Sequence, residues 1–286
     1  MAEPAAAKQS DRSTSPPVIY EARDGVSSIT LNRPSVLNAL DTALAATLVD
    51  CVERAADDAT TFAVVVRGAG RAFCSGMDRT ALAAGAIDEP FYRHWIRALN
   101  MLEDMPKVAL AVLHGYSIGG GLQLAVACDL RLATTDAVVG LGASRHGIIP
   151  DGSVLRLARL IGLARAKELS LLNDELSAEA ARAIGLVTRV CAPAEVDTTL
   201  AALLERLRHQ APTANGHIKR LLQASFHADP RALIEDVLRA QDDCMRSWET
   251  AEANRAWHEK REPVYHPQPP RTSNRPPRTS NRPPTS

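Results

Sequence analysis

Two continuous apolar runs, Phe62-Ala63-Val64-Val65-Val66 and Val108-Ala109-Leu110-Ala111-Val112, each feed a glycine-rich turn that opens into a segment of helical spacing. Runs that are apolar at every position read as parallel strands buried on both faces. Parallel strands need long crossovers, usually helical, so the chain is constrained to an α/β fold. The turns are Phe73-Cys74-Ser75-Gly76-Met77-Asp78 and His114-Gly115-Tyr116-Ser117-Ile118-Gly119-Gly120-Gly121-Leu122. Where a strand passes through glycines into a helix, the first N–H groups have no intrahelical partner and the helix dipole adds partial positive charge. Two such turns that converge would aim two N–H donors at one oxygen as it gains negative charge.

The remaining pattern sets these turns in a longer alternation. Val18 to Leu31 alternates around Asp24-Gly25 and predicts a hairpin ending at Asn32-Arg33-Pro34. Asp41 starts a helix with Leu44, Leu48, Val52 and Ala55 on one face. Residues 80–105 predict a loop and a helix closed at Met105-Pro106, Val138-Val139 a short strand, and the segment after Gly152 a helix. From Leu163 onward the pattern is helical, with breaks at Gly185, Pro193, Pro212, Pro230 and Pro263 and one strand near Leu186–Val190. Four segments follow: an N-terminal arm over 1–17, an α/β core over 18–195, a helical region over 196–265, and a tail over 266–286. The arm is rich in Ala, Ser and Pro and the tail repeats Pro-Pro-Arg-Thr-Ser-Asn-Arg at 269–275 and 276–282, so both are expected to be disordered.

Composition excludes several functions. Thirty-three basic residues balance thirty-three acidic ones, so no strong field recruits nucleic acid or an anionic membrane, and neither is expected as a partner. No apolar run approaches the roughly 20 residues that cross a bilayer. The five cysteines lack CxxC or Cys/His metal spacing; reduced thiols, a cytoplasmic location and no metal centre are expected. The triple glycine also lacks GxGxxG spacing, which argues against a dinucleotide-dependent redox enzyme.

Taken together these stretches resemble the crotonase, or enoyl-CoA hydratase/isomerase, superfamily. The resemblance rests on Leu31-Asn32-Arg33-Pro34 with Leu37-Asn38-Ala39-Leu40, both glycine turns, Ala127-Cys128-Asp129-Leu130, Ile149-Pro150-Asp151-Gly152, and Ala253 through Pro263, all in the family's order. It implies a crotonase-like spiral of ββα turns with a helical C-terminal trimerisation region, and a homotrimer or dimer of trimers. It also implies an acyl-CoA substrate, whose coenzyme A is part of the substrate rather than a separate cofactor. Carried over position by position, the N–H donors to the thioester oxygen would be Met77 and Gly120, with Gly76, Gly119 and Gly121 beside them as substrate- and CoA-binding residues. Asp78 and Arg79 would lie near the adenine. Ser35 stands where relatives often place a lysine near the CoA phosphates, and Lys260 is the candidate to contribute instead.

The resemblance also has a gap. Hydratases of the family use two glutamates, and alignment of the motifs puts Gln123 and Ala143 at those positions. An amide has no basic form near neutral pH, although it can orient water or a carbonyl. The remaining carboxylate is Asp151, either an acid/base group or a helix N-cap. His146 is a candidate partner for it, and an ordinary polar residue on the other reading. Asp129 and Arg131 are expected to pair structurally, Cys74 to be small packing, and Arg145 to make a surface or subunit contact. The residues Phe91, Tyr92, His94, Trp95, Leu99 and Met101 are expected over the acyl pocket or in the core. The expected function is therefore acyl-CoA chemistry through a stabilised enolate or tetrahedral intermediate, isomerase or hydrolase in type rather than standard hydration. The alternatives are an acyl-CoA-binding protein without catalysis and a hydratase with atypical acid/base groups.

Overall fold

The computed structural model of the protein describes residues 15–266; the expected N-terminal arm, apart from its last three residues, and the tail, apart from its first residue His266, lie outside them. The chain begins with the hairpin β1 (Val18–Arg23) and β2 (Val26–Leu31), turning at Asp24-Gly25 where both residues have positive φ. Asp41 caps α1 (Thr42–Asp57) by accepting from Leu44 N at 2.8 Å, and the face Leu44, Leu48, Val52 and Ala55 is fully buried. Next come β3 (Ala63–Gly68), the short α2 (Arg79–Ala83), α3 (Glu89–Asp104) and β4 (Val108–Leu113). The second glycine turn contains a strand, β5 (Tyr116–Ile118), before α4 (Gly120–Ala127). Then follow β6 (Leu130–Thr134), β7 (Val138–Gly140), α5 (Ser153–Leu172), β8 (Leu176–Ser177), α6 (Ala178–Ala183) and β9 (Arg189–Cys191). Four helices close the described chain: α7 (Val196–Arg208), α8 (Pro212–Ala224), α9 (Ile234–Met245) and α10 (Trp248–Glu259).

The strands form two sheets. The larger has the order β1-β2-β3-β4-β6-β9, antiparallel only between β1 and β2 and parallel thereafter. The two apolar runs are its central neighbours β3 and β4, and Val64, Val66, Ala109 and Ala111 are all completely buried. The smaller sheet, β5-β7-β8, carries the second glycine turn. Sequence reading placed no strand at Tyr116–Ile118 or Leu176–Ser177, because three or fewer residues flanked by turns carry no measurable alternation. Likewise, the strand expected near 186–190 starts at Arg189. Gly162 interrupts the long α5 with φ 76° and ψ 157°, so that helix is kinked.

Asp129 and Arg131 do not pair through their side chains. Asp129 sits in a mostly buried ion pair with Lys219 of α8 at 2.8 Å and also accepts from Ala109 N at 2.7 Å. Arg131 instead donates to the backbone carbonyls of Leu186 and Cys128, at 2.6 and 2.7 Å. These two residues tie α8 and the segment leading into the last strand to the sheet, and no spacing rule announces contacts 55 or 90 residues away.

Candidate active site

The two glycine turns meet. Cys74 N donates to Tyr116 O at 2.9 Å and Ile118 N to Cys74 O at 3.0 Å, which stitches the first turn to β5. The second turn is anchored from its far side by Gly119 N donating to Gly140 O of β7 at 2.8 Å. The approach is close enough that glycine is demanded on both sides. A Cβ on Gly76 would lie 2.9 Å from Ile118 O, and one on Gly121 only 2.3 Å from Cys74 O. Gly119 also holds φ 56° and ψ −119°, a conformation that glycine alone adopts freely. Gly119 thus answers a backbone torsion and Gly121 a backbone contact at the junction of the two turns, while a Cβ on Gly120 would meet the Leu40 side chain.

The junction orients its N–H groups. Leu40 N donates to Gly76 O at 2.8 Å and Asp78 N to Leu40 O at 2.9 Å. In an extended segment alternate peptide groups point to opposite sides, so the Met77 N–H faces away from Leu40. Gly120 is the first residue of α4, where an N–H has no intrahelical acceptor. Neither Met77 N nor Gly120 N donates to a backbone carbonyl among the described residues. Both residues line one cavity of 40 Å³, together with Gly119, Gln123, Ala143 and Asp151. Leu40, Phe91, Trp95, Ile148 and Ile149 complete its wall.

The first turn is held by groups whose role was not visible in their spacing. Asn38, fully buried, donates from its amide nitrogen to Ala69 O, Ala72 O and Phe73 O at 2.9, 2.9 and 3.1 Å. Its own φ of 55° suits asparagine, the residue type that tolerates the left-handed region best after glycine. Asp78 caps α2 by accepting from Thr80 N and Ala81 N and pairs with Arg33, so its carboxylate is engaged in holding the turn. Arg79, the first residue of α2, is exposed. Cys74 is completely buried and its thiol is pushed up to about 12 by desolvation, which leaves it an inert packing group.

Asp151 is the carboxylate of the cavity. The helix after it starts at Ser153 with Gly152 as its cap and no side-chain capping bond, so Asp151 does not serve as the N-cap. Its φ is 44°, a position an L residue holds only under constraint from its surroundings. Burial raises its pKa above the ordinary carboxylate value, and its charge in turn helps raise Tyr92, where desolvation is the larger cause.

Some expected residues are elsewhere. His146 ends a single 3-10 turn over Ala143–His146, is exposed, and does not line the cavity, because that turn presents Ala143 inward and rotates the next three residues outward. Arg145 beside it donates to Asn173 O at 3.0 Å. His94 also stays out of the lining; its Nδ1 is buried without a partner among the described residues. Of the aromatic cluster on α3, Phe91 and Trp95 reach the cavity, stacked with centroids 6.2 Å apart. Lys260 is an exposed C-cap of α10 with φ 54° and does not line this cavity.

The chain is similar to known proteins. Residues 21–268 match the family model described as enoyl-CoA hydratase/isomerase. The YngF protein of Bacillus subtilis is 32% identical over 242 residues, covering 83% of this chain and 93% of its own. A short-chain-enoyl-CoA hydratase of Clostridium acetobutylicum is 29% identical over 248 residues, covering 85% of this chain and 95% of its own. Among solved structures, an enoyl-CoA hydratase/isomerase from Marinobacter aquaeolei superposes with a TM-score of 0.80 at 32% identity, covering 86% of this chain and 98% of that one.

Proposed function

The chain belongs to the enoyl-CoA hydratase/isomerase family, and from that premise we propose that it moves a proton next to the carbonyl of an acyl-CoA thioester, as an isomerase or hydrolase rather than a standard hydratase. The thioester oxygen accepts from Met77 N and Gly120 N. As the α-proton leaves, charge moves onto that oxygen, and the two preorganised amides stabilise it more than they stabilised the neutral carbonyl. Asp151 takes the proton. For isomerisation it returns the proton at the far end of the dienolate; for hydrolysis no α-proton moves, and Asp151 instead takes a proton from a water that adds to the carbonyl carbon, then gives it to the CoA sulfur as the tetrahedral intermediate breaks its C–S bond.

The observation that carries this reading is the content of the cavity. It gathers two donor-bearing backbone positions and one carboxylate, while an amide and a methyl group occupy Gln123 and Ala143. A water held between two carboxylates has no counterpart there. The raised Asp151 pKa keeps the protonated form accessible nearer to neutrality than for an ordinary aspartate, which suits a group that must both take and return a proton.

Incubation of saturated, 2-enoyl and 3-enoyl CoA esters in deuterated water, read by mass spectrometry, tests the proposal. Deuterium at the α or γ carbon reports proton transfer, and free acid reports hydrolysis. Asp151→Asn should abolish either while CoA-ester binding persists. Binding of these esters with no exchange and no product would make the protein a carrier, and net addition of water across the double bond with wild-type-like activity in Asp151→Asn would assign hydration by other groups.

A further inference from the structure

Trp95 and Gln123 form a buried pair in the cavity wall. The indole Nε1 donates to Gln123 Oε1 at 2.9 Å, and the residues are 1% and 5% exposed. An indole N–H is a donor only, so the amide must present its oxygen to Trp95. The NH2 group is left over, and it has no acceptor among the described residues. Phe91 stacks on the indole and Trp95 has no freedom to swing away, so the amide cannot rotate by half a turn without stranding a buried N–H. Gln123 thus offers this cavity a donor of fixed sense, where a carboxylate would offer an acceptor.

The position of that donor sets what it meets. Gln123 lies three residues after Gly120 on α4, hence on the same helix face, and helical side chains lean back toward the N-terminus. It therefore covers the first substituents beyond the thioester oxygen held at Gly120. Resting on the acyl-CoA reading above, we infer that the site selects acyl groups bearing a hydrogen-bond-accepting oxygen at C3, in the manner of a 3-oxoacyl thioester, with Gln123 as the donor and Trp95 as the positioning residue that fixes its sense. When a proton leaves C2 of such a substrate, negative charge spreads onto the C3 oxygen as well, so the same donor acts where charge develops.

The test compares 3-oxobutanoyl-CoA with butanoyl-CoA, which differ only at C3, a carbonyl in the first and a methylene in the second, by titration calorimetry at neutral pH. Wild-type protein should prefer the 3-oxo ester by roughly tenfold, the worth of one hydrogen bond in a dry site. Gln123→Met removes the donor and should bring the ratio of the two affinities to about one, a ratio from which any packing change common to both esters cancels. Gln123→Glu keeps an acceptor for Trp95 but turns a carboxylate oxygen toward the ligand, and should invert the ratio. Trp95→Phe frees the amide and should lower the ratio of the two affinities, and adding it to Gln123→Met should lower the ratio no further than Gln123→Met alone, a non-additivity that mere loss of packing does not produce. A ratio near one in wild type, or one that survives Gln123→Met, overturns this inference and leaves the acyl-CoA reading intact. Failure of butanoyl-CoA itself to bind overturns both.

Discussion

Gly121→Ala is the substitution that most sharply probes how the two turns are held. A Cβ at this position lies 2.3 Å from Cys74 O, 3.0 Å from Cys74 Cβ and 3.1 Å from Cys74 C. Carbon and carbonyl oxygen settle at roughly 3.3 Å or more, so α4 must retreat from the first turn by about 1 Å. Cys74 O already accepts from Ile118 N, and the colliding atom belongs to the backbone, so no side-chain rotation relieves the clash. Overpacking of this kind costs about 1–3 kcal/mol, offset in part by alanine's better helix propensity of up to about 1 kcal/mol. The functional effect is larger: a 1 Å displacement of one donor relative to the other should lower turnover about 100-fold, or about 2.7 kcal/mol of barrier. Gly120→Ala is the comparison, because its Cβ meets Leu40 Cδ1 at 2.2 Å, the tip of a side chain that can repack. The assay is the rate of deuterium incorporation into an acyl-CoA, with circular dichroism and thermal unfolding to establish that each variant is folded. A folded Gly121→Ala protein that keeps an exchange rate within about threefold of wild type would refute the argument that turn spacing sets the donors.

Three further outcomes follow from the geometry. Asp151→Asn should gain stability relative to wild type as pH rises: a folded pKa raised by burial means the aspartate's favourable contribution is complete below its unfolded value of roughly 3.9 and is lost as pH climbs through the folded pKa. Thermal unfolding from acid to neutral pH reads this as a widening gap, and a gap that is constant with pH contradicts it. Lys219→Met leaves the mostly buried Asp129 carboxylate unpaired and should cost about 3 kcal/mol by urea unfolding; Asp129→Asn added to it should recover part of that loss. His146→Ala should leave exchange within about twofold of wild type, since the imidazole is exposed and outside the cavity; a large loss would bring it back as a catalytic group.

What was legible in the chain was whatever depends on local pattern. Consecutive apolar residues at Phe62–Val66 and Val108–Val112 located the two central parallel strands because burial on both faces leaves no polar alternation. The glycines after them located the junction, since tight backbone approach excludes a Cβ. The contents of the cavity were legible only in part. Met77, Gly120, Gln123 and Asp151 are brought together, whereas His146 is turned outward by the 3-10 geometry of Ala143–His146, a rotation that a spacing of five residues from Asp151 does not encode.

The remainder depends on contacts distant in sequence. Asn38 clamps three carbonyls more than 30 residues away, Lys219 neutralises Asp129 across 90 residues, and Trp95 sets the sense of Gln123 from another helix. The positive φ of Asp151 has a faint local sign in the Pro-Asp-Gly turn, a sequence that also fits an ordinary helix start. Each of these residues works through its partner, and partners are fixed only once the chain has folded.

The most direct measurement is a crystal structure of the protein with butanoyl-CoA bound. The account requires the thioester oxygen to sit within about 3.1 Å of both Met77 N and Gly120 N, with the Asp151 carboxylate over the α carbon. A thioester oxygen bonded to one of these amides and turned from the other, or seated in a different cavity, would contradict it.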